Sequence, residues 1–136
     1  MKCFCSHKDM GNLALLALRV VVGIVFLYHG WAKLQDMAAT VSFFDSMGIF
    51  LPAFFAWVVA LVETIGGILL ILGVHVRSIA PLLFINMIVA LLVVHTRMPW
   101  AQAELPLTLA AASLILYSMG AGEWRLMKKE CVCSVK

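Results

Sequence analysis

The stretch LVETIGGILLILG, residues 61–73, places one carboxylate, that of Glu63, inside a long apolar run. An unpaired charge in the centre of a bilayer costs at least about 2.5–3.5 kcal/mol, so this acid requires a partner. The whole run, residues 52–73, is about as long as a helix that crosses the roughly 30 Å of hydrocarbon in a membrane. The stretch therefore predicts a membrane-spanning helix with a polar site inside it.

The composition of the whole chain indicates the same environment. The 136 residues are 64% hydrophobic and 12% charged, with a mean hydropathy of +1.05. Soluble domains are nearer 45–50% apolar, with about a quarter of their residues charged. The net charge of +3 is small and the basic residues form no stripe, which argues against nucleic acid as a partner. We predict one integral membrane domain over residues 1–136.

Four segments are apolar and long enough to be transmembrane helices, and they lack the alternation of membrane strands. They cover residues 12–34, 52–73, 78–96 and 104–120. Most lysines and arginines fall on one side of this arrangement, so the positive-inside rule places both termini in the cytoplasm. We predict an all-α integral membrane four-helix bundle in the cell (cytoplasmic or inner) membrane. Its predicted partners therefore include the lipid bilayer. Cysteine-bearing tails cover residues 1–11 and 121–136.

The linker between the first two spans, residues 35–52, is not a plain polar loop. Its apolar side chains, with Phe43 and Phe44 among them, make it amphipathic. Such a segment is expected to lie along the outer surface of the membrane. A spacer and a substrate lid both fit this pattern, and we favour the spacer.

Three polar side chains fall at nearly one depth when a rise of about 1.5 Å per residue is applied along each span. They are Arg19 in the first span, Glu63 in the second and Asn86 in the third. A cation, an anion and an amide at one level can satisfy one another, so we predict an Arg19–Glu63 pair with Asn86 alongside. This polar core either fixes the helix packing or forms a proton-active or ligand-binding site, and both interpretations stay open.

A second polar group is predicted near the outer end of the spans. His29 and Lys33 are four residues apart on the first span, and His95 ends the third. Histidine in this position suits a proton relay, a bound anionic or quinone headgroup, or a metal ion. Lysine near a helix end commonly reaches to the interface, so for Lys33 we favour that structural role. Glu63 and His29 are the candidate catalytic residues.

All four cysteines lie in the two tails, as the C-x-C pairs Cys3–Cys5 and Cys131–Cys133. In the four-span arrangement both pairs face the reducing cytoplasm, where stable disulfides are rare. Four thiolates suit a tetrahedral zinc site, with His7 as a substitute ligand, or a redox-active dithiol set. Reduced tails without a metal are the third interpretation, which we favour.

Several motifs in order resemble the DoxX family of small four-helix membrane proteins. They are LRVVVGIVFLYHGWAKL (18–34), SMGIFLP (46–52), ALVETIGGILLILGVHVRSIA (60–80) and ALLVVH (90–95). The resemblance implies a bacterial cytoplasmic-membrane protein, with relatives linked to thiosulfate:quinone oxidoreduction or to thiol-redox defence. The recurrent family positions that it implies are Arg19, Gly30, Lys33, Glu63, Gly67, Gly73 and Arg77. The cysteine-bearing tails lie outside these motifs.

The leading functional hypothesis is a membrane subunit or module of a quinone- or thiol/sulfur-linked redox system. The polar core or the outer histidines would contact a quinone or a small sulfur species. The sequence has no haem, flavin or nucleotide motif, so electrons would pass through a soluble or membrane oxidoreductase partner. The alternative is a non-catalytic assembly partner or small-solute carrier with a structural Arg–Glu–Asn core. A homo-oligomer is compatible with both hypotheses.

Overall fold

The computed structural model describes residues 5–95 and 100–123 of the chain. This part of the chain consists of helices and connecting turns and contains no strand. The helices are α1 (Cys5–Gln35), α2 (Met37–Ser46), α3 (Pro52–Leu72), α4 (Val76–His95) and α5 (Glu104–Met119), with a 3₁₀ turn at Trp100–Gln102. The all-α prediction is therefore confirmed over these residues.

Three of these helices are apolar enough and long enough to cross a membrane. The candidate spans are Met10–Gln35 in α1, Pro52–Leu72 in α3 and Val76–Val93 in α4. The α5 helix is also apolar, but its 16 residues reach only about 24 Å, short of the roughly 30 Å hydrocarbon layer. The chain thus has the helices of a membrane protein. The fourth span and the cytoplasmic position of both termini stay predictions.

The first two long helices, α1 and α3, pack antiparallel along a line of glycines. A Cβ atom added at Gly67 would lie 2.6 Å from the carbonyl oxygen of Gly23, and one added at Gly30 would lie 2.5 Å from Thr64 Oγ1. Small residues allow membrane helices to bring their backbones this close. The contacts fix the register of the pair, because Gly23 is level with Gly67 and Gly30 is level with Thr64.

The remaining long helices complete one core. The α4 helix packs mainly against α5, α3 also contacts α4, and α1 contacts α5. The largest fully buried apolar side chains are Phe26, Leu70, Leu83 and Leu116, one from each of these four helices. Many large apolar side chains elsewhere, such as Ile24 and Phe54, are exposed on the outer surface of the packed helices. An apolar exterior of this extent suits contact with lipid.

The α3 helix ends at Gly73, where the backbone turns left-handed. Gly73 has φ +70°, and its N–H donates to the Leu70 carbonyl oxygen at 3.1 Å. The Arg19 guanidinium lies against this turn, so that a Cβ at Gly73 would be 2.6 Å from Arg19 Nη1. Glycine is required here both by the backbone conformation and by the close approach of the arginine.

We expect Gly73→Ala to lower the free energy of unfolding by about 1–2 kcal/mol for the left-handed backbone, and further because Arg19 must move. Gly122→Ala is the matched control, since Gly122 has φ +72° and no atom within 3.7 Å of an added Cβ. Reversible unfolding in mixed detergent micelles would measure both. Equal losses in the two variants would contradict the packing of Arg19 against Gly73.

Candidate functional site

The carboxylate of Glu63 accepts a hydrogen bond on each oxygen. Lys33 Nζ lies 2.5 Å from Glu63 Oε2, and Asn86 Nδ2 donates to Glu63 Oε1 at 2.9 Å. The Glu63 side chain is 3% exposed and that of Lys33 is 25% exposed. The charge of a buried carboxylate is thus met by one cation and one amide, which is the arrangement that a low-dielectric site requires.

The local geometry of two antiparallel helices explains why Lys33 reaches Glu63. Gly30 packs directly on α3, where an added Cβ would lie 2.9 Å from the Cβ of Glu63. Lys33 is about one helical turn beyond Gly30 along α1. Because side chains on a helix lean toward its N-terminus, the lysine leans back along α1 while the glutamate leans toward it along α3. The glycine contact therefore brings the two charged groups together.

The predicted Arg19–Glu63 pair is wrong. Arg19 precedes Gly30 by about 16 Å along α1, and its guanidinium lies against Gly73, ten residues past Glu63 on α3. There it is 3% exposed and donates from Nη1 to the Ala121 carbonyl oxygen at 2.6 Å. Arg19 therefore lies at the end of the structure where α3 and α5 terminate. The cation in the polar core is Lys33, for which only an interfacial role was favoured.

A cavity of about 400 Å³ adjoins the Lys33–Glu63–Asn86 group. Its walls are mostly apolar and include four phenylalanine rings, with polar atoms contributed by a few side chains. The aromatic residues are Phe26, Phe43, Phe44 and Phe55, and the polar ones are His29, Lys33, Glu63, Asn86 and Gln102. Ligand pockets commonly have volumes of about 300–1,000 Å³ and this same combination of apolar walls and few polar groups.

The α2 helix forms part of the cavity wall. It begins directly after α1, where the Asp36 carboxylate caps it by accepting from the Ala39 N–H at 3.0 Å. Phe43 and Phe44 from α2, and Ile49 from the following turn, line the cavity. The linker is therefore more than the spacer that was favoured from the sequence. A substrate lid stays the less favoured alternative for this segment.

The structure describes the side chains of some of the other predicted site residues and not of others. His29 lines the cavity, and its carbonyl oxygen lies 3.5 Å from Lys33 Nζ. His95 ends α4, but its side chain lies outside the described part of the structure, as do the side chains of Cys5 and His7.

The zinc site, one of the three interpretations of the tails, cannot be assembled from the residues that the structure describes. Cys3, Cys131 and Cys133 lie outside residues 5–95 and 100–123. Within the described residues, no three His, Cys, Asp or Glu side chains converge as metal ligands. The zinc, dithiol and reduced-tail interpretations all stay open, with reduced tails favoured.

Sequence reasoning missed two features of the site. It did not pair Lys33 with Glu63, although Gly30 beside Glu63 and the lean of helical side chains were signals that could have found the pair. It also missed Gln102, which enters the cavity from the 3₁₀ turn. No periodic pattern marks a residue in so short an element.

The arrangement supports two kinds of chemistry. Lys33, Asn86, His29 and Gln102 can donate hydrogen bonds to oxygen atoms of a ligand in the cavity. Among the described lining residues Glu63 is the acidic side chain, and a carboxylate is a common proton acceptor in catalytic sites. The site can therefore bind an oxygen-bearing ligand and exchange a proton with it.

Comparisons with known proteins agree with this architecture. The DoxX family profile matches residues 14–96, which include the glycine line, Lys33, Glu63 and Asn86. A Bacillus subtilis (strain 168) protein named "Putative oxidoreductase CatD" is 37% identical over 110 residues, covering 80% of this chain and 81% of that protein. The Escherichia coli (strain K12) protein named "Inner membrane protein YqjF" is 30% identical over 73 residues, covering 54% and 55%.

No solved structure matches the chain. The profile match covers more than half of the sequence, and the similarity to the Bacillus protein extends over four fifths of both chains. These matches confirm the resemblance drawn from the sequence motifs. The chain belongs to the DoxX family of membrane proteins.

Proposed function

We propose that this protein is the membrane module of a redox system and that its cavity binds a small ring ligand, with a quinone as the first candidate. The single observation that carries the proposal is the cavity of about 400 Å³, which combines phenylalanine walls with the Lys33–Glu63–Asn86 group. Aromatic walls favour a flat ring through offset or edge contacts. The polar group supplies donors for ring oxygens and a proton acceptor.

The redox assignment draws on the chemistry of such a ligand and on the relatives. A quinone carries its own redox centre, so the protein needs to supply only binding, orientation and protons. Electrons would come from, or pass to, a partner oxidoreductase. The name of the Bacillus relative, which contains the word oxidoreductase, supports the same direction.

The proposed arrangement in the membrane has four spans, with α5 as the fourth and both termini in the cytoplasm. The distribution of lysine and arginine supports this orientation. The name of the Escherichia coli relative supports an inner-membrane location. In this orientation the cavity lies in the outer half of the protein, beneath the α2 helix.

We expect Glu63→Gln to retain the folded protein but to reduce quinone-dependent turnover by about 10²-fold or more, because the amide cannot exchange a proton as a carboxylate does. The measurement is quinone reduction or quinol oxidation in membranes that contain the partner. Glu104→Gln is the control, since Glu104 is an exposed carboxylate at the start of α5 and does not line the cavity. Normal quinone turnover in Glu63→Gln would contradict the proposal.

The second candidate function is a non-catalytic assembly module. The observation that favours it is that Glu63 joins three helices, through Lys33 on α1 and Asn86 on α4. In that case the polar group would serve only to fix helix packing. A stability loss in Glu63 variants, with no ligand bound by the wild type, would favour this function.

A further inference from the structure

We infer that the cavity binds a ring ligand with an acidic hydroxyl as the anion, held by Lys33, while the proton of that hydroxyl is held by Glu63. The inference rests on the ligand-binding role proposed above and adds the charge state of the bound complex. It assigns separate tasks to the two members of the ion pair. Lys33 is the anion-binding group and Glu63 is the proton acceptor.

The cavity is lined by one cationic and one anionic side chain. Among the described residues that line it, Lys33 and Glu63 are the charged groups, and His29 is the other titratable one. The lining residues of α2, α4, α5 and the 3₁₀ turn are apolar or, like Asn86 and Gln102, uncharged. The pair is therefore neutral before a ligand arrives. An anion that entered alone would leave a net negative charge beside a 3% exposed carboxylate, which desolvation strongly opposes.

The two members of the ion pair differ in their exposure. Lys33 is the more exposed member at 25%, and Lys33 and Glu63 both line the cavity. Lysine has a flexible stem, so its Nζ can turn from Glu63 Oε2 toward a ligand oxygen. Asn86 still holds Glu63 Oε1 when this happens. Glu63 is then a buried charge without its cation, and a proton from the ligand restores the neutrality of the site.

The resulting step is a proton transfer without redox change. The O–H bond of the ligand breaks, an O–H bond forms on Glu63, and the electron pair stays on the ligand oxygen beside Lys33. No electron is gained or lost, and the cavity remains neutral overall. For a ligand that is later oxidised, this step would place it in the anionic form that gives up electrons more readily.

The test uses 4-nitrophenol as the probe and 4-nitroanisole, which has the same ring but no acidic hydroxyl, as the matched ligand. We expect saturable binding of both to the full-length protein in detergent. Above the pH at which free 4-nitrophenol becomes its anion, wild-type protein should take up one proton per bound probe. The affinity for 4-nitrophenol should then fall about tenfold per pH unit, while that for 4-nitroanisole stays constant.

Three variants separate the possible proton acceptors. Glu63→Gln should bind the 4-nitrophenol anion without proton uptake and with no fall in affinity as the pH rises. His29→Gln removes the other titratable group and a hydrogen-bond donor of the cavity, so its affinity should change, but each probe that binds should still bring one proton with it. The double variant Lys33→Met/Glu63→Gln should bind 4-nitroanisole but lose the anion, and its binding of the neutral probe shows that the cavity is intact.

The outcomes distinguish this inference from the proposed function. Saturable binding of both probes without proton uptake by wild type would overturn the inference and leave the cavity as a ligand site. Proton uptake that is lost in His29→Gln and kept in Glu63→Gln would overturn the assignment to Glu63. No saturable binding of either probe would overturn both the inference and the ligand-binding role.

Discussion

Lys33→Met is expected to lower the free energy of unfolding by about 3–5 kcal/mol, because it removes the cation and leaves Glu63 buried. Asn86 alone cannot balance the charge, since its amide is neutral. Because Lys33 is one quarter exposed, solvent weakens its interaction with Glu63. We therefore expect the loss of stability to be near the lower end of that range.

The double variant Lys33→Met/Glu63→Gln is the control for this prediction. It replaces the pair by two neutral side chains of similar size and keeps an amide for Asn86, so most of the lost stability should return. A double-mutant cycle on reversible unfolding in mixed micelles measures the coupling between the two side chains. Additive effects of the two single changes would contradict the Lys33–Glu63 pair. Strong coupling in a protein that binds no ring ligand would favour the assembly function.

The sequence predicted α1, α3, α4 and α5 because each contains a long apolar run, whereas the 10-residue α2 lies in the predicted linker. Gly73 and Gly120 end α3 and α5 as C-caps, and Pro52 begins α3. The contact of Glu63 with Asn86 also followed from depth along two adjacent spans. Both inferences use only the position of a residue along its own helix, which the sequence supplies directly.

The prediction that Arg19 pairs with Glu63 failed because the depth of a residue along its helix does not give the position of the charged group at the end of a long side chain. The α1 helix begins at Cys5 and not at residue 12, and side chains on a helix lean toward its N-terminus. Arg19 therefore reaches Gly73 and Ala121, while Lys33 leans inward to Glu63. The register of α1 on α3, set by the glycines, decides between the two cations.

The cavity itself was beyond sequence reasoning for a different reason. Its walls come from α1 to α5 and the 3₁₀ turn, so it exists only once several elements are packed. The phenylalanines of the linker indicated an amphipathic segment, but the sequence did not show that they line a cavity. Packing between elements distant in sequence is not encoded in any local period.

Gly67→Ala is expected to have the second largest effect on stability. A Cβ at this position would lie 2.6 Å from both the Gly23 carbonyl oxygen and the Leu27 nitrogen, and 3.0 Å from the Leu27 Cα. These are backbone atoms of α1, so no side chain can rotate away and the two helices must separate. Overpacking typically costs about 1–3 kcal/mol, and we expect a loss at or above the upper end. Because Glu63 lies one turn away, the separation should also weaken its contact with Lys33.

Two other glycines provide the controls for Gly67→Ala. Gly66 is its neighbour, but an added Cβ there would meet the Leu83 side chain at 3.0 Å, which can shift, so Gly66→Ala should cost less. Gly11 lies in α1 with no atom within 4 Å of an added Cβ, so Gly11→Ala should stabilise the helix by about 0.5–1 kcal/mol. The order of the three variants in reversible unfolding is the measurement. A Gly67→Ala protein as stable as the Gly66→Ala protein would show that the backbones of α1 and α3 are not in contact. That result would also contradict the register of the two helices that places Lys33 beside Glu63.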